Sequence, residues 1–249
     1  MYIMITNNFR SLLTFLQAPS IGIRQDDSSF LNTLRSILLG LFFYYAINII
    51  LSPILGLYND FLKNNIHIDF LQIHKQTLTN AASSRIKLFF LIVFIGPLIE
   101  EILFRGWLTS KISFIYLFFI VLFYVCISML INSPVYTQDI NNLLWVKFII
   151  AIILGVIASK FIFTRNIHAF LNDRFPFLFY ISSGIFALTH IINFHLTNLW
   201  YLVPVFPFVL PQLAFGLIIG YQRVKYGFFA GLFLHIVNNL IVFGVTLYH

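Results

Sequence analysis

Long stretches without any charged side chain constrain this sequence more than any other feature. The longest runs from Phe175 to Gln222 without a single Asp, Glu, Lys or Arg. Over the whole chain 60% of the residues are hydrophobic and 9% are charged, whereas a soluble domain carries about 25% charged residues. A water-soluble chain of 249 residues could not bury so much apolar surface in one core. We therefore expect a membrane-embedded protein.

The charge-free runs predict one integral-membrane domain over residues 1–249, an all-α, polytopic transmembrane helical bundle of about seven or eight spans. Helices are expected because every backbone polar group in lipid must find its partner within the chain. The predicted spans are 36–59, 88–104, 112–132, 143–163, two within 175–222 that are divided at Asn193, His195, Thr197 and Asn198, and 227–248.

Two segments lie outside the predicted spans. Residues 1–35 are expected to be cytoplasmic or interfacial, with a candidate interfacial helix over 9–23. The polar segment 60–87 either lies on the membrane surface or hides a short re-entrant piece around 66–73.

The positive residues predict an orientation. One side of the predicted membrane holds Arg10, Arg24, Arg35, Arg105, Lys111, Lys160, Arg165, Arg174, Arg223 and Lys225, and the other holds Lys63, Lys75, Arg85, Lys87 and Lys147. The excess on the first side predicts a cytoplasmic N-terminus and an external C-terminus.

The three Trp residues, Trp107, Trp145 and Trp200, fall at predicted span ends, as membrane-interface residues do. No basic block is dense enough for a nucleic-acid interface, so membrane lipids are the expected partners.

The only two glutamates of the chain are adjacent and close an apolar run. Carboxylates inside a membrane usually face protein or water. Glu101 and Arg105 are four residues apart and can pair on one helix face, which leaves Glu100 free to point elsewhere. Pro97 should bend the helix and free backbone carbonyls. The alternative is a simple pair of interfacial charges at a helix end.

Two further polar groups lie in later predicted spans. His190 follows Phe186 by one helical turn, and His235 and Asn239 share a helix face at the i, i+4 spacing. Each group alone is as readily explained by helix–helix hydrogen bonds in lipid. Together with the glutamate pair, these groups supply a base, proton carriers and an amide donor on three helices. This combination favours a catalytic site.

These residues resemble the motifs of a known family. EEILFR matches EExxxR, FALTH matches FxxxH and HIVNN matches HxxxN of the CPBP family, the CAAX-processing-type intramembrane proteases also called Abi proteins. The stretch from Gly216 through Asn239 also looks like that family's C-terminal block. The resemblance covers 88–105 and 180–245, and two extra spans within 112–163 separate the first two motifs.

The resemblance implies an intramembrane endopeptidase that hydrolyses a membrane-associated, prenylated or leader-peptide substrate. Glu100 would polarise a water molecule, and His190 would help hold it. His235 and Asn239 would stabilise the oxyanion, while Glu101 and Arg105 would support the first motif. The resemblance also implies a bacterial inner-membrane location.

Several alternatives stay open from the sequence. A metal-free mechanism without any cofactor is favoured, but Glu100, His190 and His235 could instead bind zinc, as in an intramembrane metalloprotease. A non-catalytic protein is also possible, either a proton-coupled transporter or an immunity or scaffold member of the family. In the predicted topology Glu100 lies near the cytoplasmic end of its span and His190 lies far along another. The spans must therefore tilt, break or shift by a turn or more for the two groups to meet.

Overall fold

The computed structural model describes residues 2–21, 29–80, 85–109, 112–131, 142–162, 166–196 and 198–248. Within these residues all regular structure is helical, which confirms the all-α prediction. The α-helices are α1 (Tyr2–Gln17), α2 (Phe30–Ile66), α3 (Phe70–Asn80), α4 (Arg85–Phe90), α5 (Gly96–Arg105), α6 (Ile112–Leu130), α7 (Asn142–Ile162), α8 (Asn166–Asp173), α9 (Phe175–Thr189), α10 (Leu202–Val205), α11 (Leu210–Tyr226) and α12 (Phe228–Tyr248).

Six stretches among the described residues are helical, long and apolar enough to cross a membrane. They are Phe30–Ile66, Ser113–Leu130, Leu143–Phe161, Phe175–Phe194, Leu199–Tyr226 and Phe228–Val245. The chain therefore has the make-up of a multi-pass membrane protein. The predicted count of seven or eight spans is not confirmed, since the predicted span 88–104 is divided among α4, a π-helical turn at Leu91–Ile95, and α5.

Large apolar side chains cover the outside of the bundle. Ile49 and Leu57 on α2 are 75% and 74% exposed, and Phe161 on α7 is 81% exposed. A soluble monomer rarely exposes a large contiguous apolar surface. These side chains are suited to contact acyl chains instead.

Helix α11 occupies the centre of the bundle and contacts α1, α2, α9 and α12. Its Ile219 is fully buried, as are Phe179 and Phe186 of α9 and Leu234 of α12. These side chains belong to one apolar core. The functional groups described below lie at the edge of this core.

The N-terminal helix is longer than predicted at its start. It covers Tyr2–Gln17 instead of 9–23, and residues 22 and 23 lie outside the described residues. Leu12 and Phe15 are buried in the core, and Lys225 donates to the Ser11 hydroxyl over 2.9 Å. Helix α1 therefore lies against the C-terminal end of α11.

Three cations that the sequence analysis counts toward the orientation are buried within the bundle. Arg105 and Arg223 are each 1% exposed and Lys147 is 2% exposed. Lys147, which lies within the predicted span 143–163, donates to the Ser128 hydroxyl between α7 and α6, over 3.3 Å. Placing Arg105 and Arg223 in the loops that follow their spans was wrong, because both contact Glu101 inside the bundle. Arg24, Lys111 and Arg165 lie outside the described residues.

A tight corner joins α2 to α3 within the predicted polar segment 60–87. Helix α2 continues to Ile66, and His67 ends it with a left-handed backbone, φ 58°. Asp69 accepts from the Gln72 backbone N–H over 2.9 Å and from the Asn59 amide over 3.0 Å. Helix α3 then packs against the 3-10 turn His190–Phe194 that follows α9. Residues 66–73 thus form a helix–helix corner.

Candidate active site

The first motif follows a break in its helix. At the π-helical turn the Gly96 N–H bonds to the Leu91 carbonyl, five residues back. In the same register the next N–H would reach Ile92, but residue 97 is proline and has none. The Asn239 amide fills this place, with 2.9 Å from Nδ2 to the Ile92 oxygen. Pro97 thus frees a carbonyl as expected, but that carbonyl binds α12 instead of lining water.

Glu101 forms the buried centre of the site. It is fully buried and lies 2.6 Å from Nη1 of Arg105, the i, i+4 contact that the spacing predicts. The guanidinium of Arg105 also lies over the Phe186 ring, 4.4 Å from its centroid, and donates to the Gly216 carbonyl over 3.3 Å. A Cβ added at Gly216 would come within 3.1 Å of Nη2 of Arg105, so a glycine lets α11 approach this close.

A second guanidinium contacts Glu101 from α11. Arg223 donates through Nη1 to the main-chain carbonyl of Glu101 over 3.0 Å, and the same nitrogen lies 3.8 Å from the carboxylate Oε2. Its guanidinium lies 4.7 Å from the centroid of the Phe228 ring. The sequence analysis missed this residue because Arg223 reads as a loop cation at a span end. In the sequence, Arg223 is followed by Gly227 and an apolar helix. This pattern does not indicate that the arginine side chain points into the bundle.

His235 lies between the two glutamates. Its Nδ1 is 3.1 Å from Oε1 of Glu101, and its Nε2 is 3.6 Å from Oε2 of Glu100. The Glu101 carboxylate faces two guanidinium groups, so it acts as a hydrogen-bond acceptor. In the hydrogen bond between Glu101 and His235, the proton must therefore be on Nδ1 of His235. In a neutral ring the Nε2 lone pair then faces Glu100. At 3.6 Å this second contact is too long for a direct hydrogen bond.

The two glutamates differ sharply in their surroundings. Glu101 is fully buried, whereas the Glu100 side chain is 26% exposed. Glu100 faces a cleft of about 260 Å³, which is large enough to hold water. The helix thus gives its two neighbouring carboxylates different environments, as their separation of about 100° around the helix requires.

His190 lies in the wall of the same cleft. Its Nδ1 is 2.8 Å from the Phe186 carbonyl, and since a carbonyl can only accept, Nδ1 carries the proton. In a neutral ring the Nε2 lone pair would then be free to accept from a water. Three parts of the chain line the cleft: α5, α6, and the end of α9 with the 3-10 turn that follows it. The lining residues are Ile99, Glu100, Leu103 and Phe104 of α5, Val125 and Met129 of α6, and Thr189, His190, Ile192 and Asn193.

The inserted hairpin contributes directly to this cleft. Val125 and Met129 share one face of α6 at the i, i+4 spacing, and both line the cleft. Helix α7 packs against α6. Of the two extra spans between the first motifs, α6 thus forms a wall of the cleft and α7 packs behind it.

The expected mismatch in depth is resolved by the register between α5 and α9. Helix α5 ends at Arg105, and Ser182 in the middle of α9 donates to the carbonyl of Phe104. His190 lies eight residues beyond Ser182, and Glu100 lies four residues before Phe104 on the antiparallel helix. At ~1.5 Å per residue both groups therefore lie on the same side of this contact, about 6 Å apart in height.

Asn239 and its neighbour connect α12 to other helices. The Asn239 amide is used by the Ile92 carbonyl, while Asn238 accepts from the Tyr45 hydroxyl over 3.0 Å. The amide donor that the resemblance assigns to an oxyanion is therefore engaged with the backbone in this arrangement.

The described residues do not form a metal-binding group. No three His, Cys, Asp or Glu side chains among them come together in a way that could hold a metal ion. Glu100, His190 and His235, the possible zinc ligands, do not converge as a set.

A further imidazole lies behind the cleft. His74 of α3 stacks on Phe194, with ring centroids 5.1 Å apart and planes at 24°. Burial lowers the pKa of His74, and the neighbouring His190 lowers it further. Its Nδ1 has no hydrogen-bond partner within the described part of the chain. Sequence reasoning missed this residue because α3 falls in the polar segment, away from every motif.

Comparisons with protein-family models, with curated proteins and with solved structures found no match for this chain.

Proposed function

We propose that this chain is an intramembrane endopeptidase resembling the CAAX-processing-type family, with Glu100 as the group that activates water. The observation that carries the proposal is the position of Glu100. Its carboxylate lies 3.6 Å from Nε2 of His235 and lines a cleft together with His190.

The chemistry follows from the acceptors and donors around the cleft. A water held by Glu100 and by Nε2 of His190 would pass one proton to the Glu100 carboxylate as its oxygen bonds to the scissile carbonyl carbon. Nε2 of His235 would receive that proton, since its Nδ1 is tied to Glu101. The resulting imidazolium would donate to the oxyanion. The proton would then move to the leaving amine as the C–N bond breaks.

This assignment differs from the resemblance in the role of Asn239. Its amide stabilises the broken helix before Glu100, so we assign it to positioning and not to the oxyanion. Glu101 and Arg105 hold His235 in the required tautomer. The proposal requires no metal and no cofactor.

We further propose seven membrane crossings. Residues 85–105 are helical throughout, in three consecutive segments, and at ~1.5 Å per residue they are long enough to span a hydrocarbon core of about 30 Å. With this seventh crossing the N-terminus and the Gly227 turn lie on one side, in agreement with the contact of Ser11 with Lys225. The excess of positive residues on that side supports a cytoplasmic location for it, and the resemblance favours a bacterial inner membrane.

The test is proteolysis by purified full-length protein in detergent. Two fluorophore–quencher peptides serve as probes, one farnesylated near its C-terminus and one carrying an unmodified apolar leader-like segment. Glu100→Gln, His190→Ala and His235→Ala should each lower the cleavage rate, with a loss of about 100-fold or more for Glu100→Gln. His195→Asn is the matched control, because His195 is exposed and its left-handed backbone suits asparagine.

Two results would contradict the proposal. Cleavage that persists in Glu100→Gln would remove Glu100 from the chemistry. No cleavage of either peptide by the wild-type protein, together with pH-driven flux into vesicles that Glu100→Gln abolishes, would favour the proton-coupled transporter instead. Unchanged cleavage on addition of a chelator is the expected result for a site whose donors do not gather around a metal.

A further inference from the structure

Arg223 is a buried cation that no motif includes. Its side chain is 1% exposed, and its guanidinium lies against the adjoining rings of Phe114 and Phe228, 5.4 Å and 4.7 Å from their centroids. Nε and Nη2 have no hydrogen-bond partner among the described residues. An arginine is always charged, and burying one without full compensation is unfavourable. The burial of Arg223 therefore requires a structural or functional explanation.

The charges that surround His235 provide this explanation. The buried cluster contains Glu101, Arg105 and Arg223, and Glu100 adjoins it through His235. Arg105 alone would balance Glu101. The second guanidinium leaves one positive charge in excess, which an ionised Glu100 beside a neutral His235 would balance. That is the charge state in which Glu100 can accept a proton.

Arg223 also fixes the backbone at the motif. Its Nη1 donates to the main-chain carbonyl of Glu101, which belongs to the peptide unit between Glu101 and Ile102. The main chain and the carboxylate of Glu101 thus both contact α11 through one guanidinium. The Glu101 carboxylate in turn accepts from Nδ1 of His235, which sets the tautomer that exposes Nε2 to Glu100.

We infer that Arg223 is a positioning residue of the proposed active site, which holds Glu101 against His235 and balances the charge of Glu100. This inference rests on the proposed function for its catalytic consequence. The arrangement of His235 that it requires can be observed without any catalysis.

The kinetic arm compares Arg223→Gln with Lys225→Gln in full-length protein, using the two peptides described above. Lys225 is the matched control, because it is a buried cation of the same helix whose partners are Ser11 and Tyr221. Arg223→Gln should lower kcat by about 10- to 100-fold, the range for losing one charged hydrogen bond, with little change in KM. Lys225→Gln should keep the wild-type kcat. Arg223→Lys restores the charge without the planar fork and should fall between Arg223→Gln and wild type.

The spectroscopic arm uses ¹⁵N-histidine labelling, with the His235 signals assigned by their loss in His235→Asn. The wild-type protein should show a single neutral tautomer with the proton on Nδ1 of His235. Arg223→Gln should lose this single signature, and Lys225→Gln should keep it. If the wild-type protein cleaves neither peptide, the proposed function fails, and this arm alone decides the role of Arg223.

Three results would overturn the inference. One is a wild-type kcat in a folded Arg223→Gln variant, and another is an unchanged His235 signature in that variant. The third applies if Arg223→Gln does not fold. In that case a wild-type kcat and signature in Arg223→Lys would show that Arg223 supports folding only, whereas a lowered kcat at an unchanged melting temperature would support the inference.

Discussion

Asn239 donates its side-chain amide to the main-chain carbonyl of Ile92, with 2.9 Å between Nδ2 and the oxygen. This contact repairs the helix break that Pro97 causes two turns before the end of α5. It also joins α12, which carries His235, to the helix that carries Glu100. The broken helix and the site are therefore held by the same asparagine.

Replacing Asn239 by Ala should destabilise the protein by about 1 kcal/mol, because a part-buried carbonyl loses its donor. Pro97→Ala supplies a backbone N–H near the same carbonyl, so the loss on Asn239→Ala should be smaller in that background. Thermal unfolding of the four proteins in detergent measures this coupling. Asn48→Ala is the control, since the Asn48 amide bonds to the Tyr44 carbonyl inside a continuous helix and should matter less. Equal losses in both backgrounds would contradict the repair role.

The same substitution should affect stability strongly at one of the two adjacent glutamates and only weakly at the other. Glu101→Gln removes the carboxylate between two buried guanidinium groups and should destabilise the protein by about 3–5 kcal/mol. Glu100→Gln should change the melting temperature little, because Glu100 is partly exposed to the cleft. Thermal unfolding and the yield of folded protein in membranes measure both effects. Similar melting temperatures for the two variants would show that the buried ion pairs are not formed as described.

The sequence alone was sufficient for the all-α class and for the facing of Glu101 and Arg105, because both follow from local rules. Apolar runs require helices in lipid, and residues four apart meet on one helix face. It was not sufficient for the inward turn of Arg223. A cation near a span end has the same local pattern whether it points to headgroups or to a buried carboxylate, and only the packing of α11 against α5 decides between them.

The π-helical turn at Leu91–Ile95 was also beyond the reach of the sequence. Pro97 signals a bend, but whether the freed carbonyl meets water or a side chain depends on α12, which lies far along the chain. His74 was missed for a related reason. The corner at His67 turns α3 back onto the turn that contains His190, and no helical period in the segment 60–87 indicates this contact.

His74 should make the folded state sensitive to mild acid. Its folded pKa is lowered from 6.5 by burial and by His190, so the unfolded chain takes up the proton first as the pH falls. The stability that the neutral ring provides is thus present above about pH 6.5 and is lost as the pH falls below it. His74→Phe keeps the stack on Phe194 and removes the unpartnered Nδ1. The variant should match or exceed the wild-type melting temperature near neutral pH.

Melting temperatures measured from pH 7.5 to 5 test this expectation. The wild-type protein should lose stability over this range, and His74→Phe should lose less. His67→Asn, at the exposed α2–α3 corner, should retain the wild-type dependence. Parallel curves for the wild-type and His74→Phe proteins would show that another group causes the sensitivity.

Gly155 sets the distance between the two helices of the inserted hairpin. A Cβ at this position would come within 2.8 Å of the backbone of Ile120, so Gly155→Ala must push α7 away from α6. An alanine within a helix is otherwise favoured over glycine by about 0.5–1 kcal/mol. Gly56→Ala is the matched control, since nothing lies within 4 Å of its added Cβ. Gly56→Ala should leave the melting temperature unchanged or raise it, whereas Gly155→Ala should lower it.

Because α6 also forms the cleft wall through Val125 and Met129, Gly155→Ala should additionally raise the KM for any peptide cleaved there. A melting temperature and a KM equal to those of Gly56→Ala would show that the close contact of α6 with α7 does not shape the cleft.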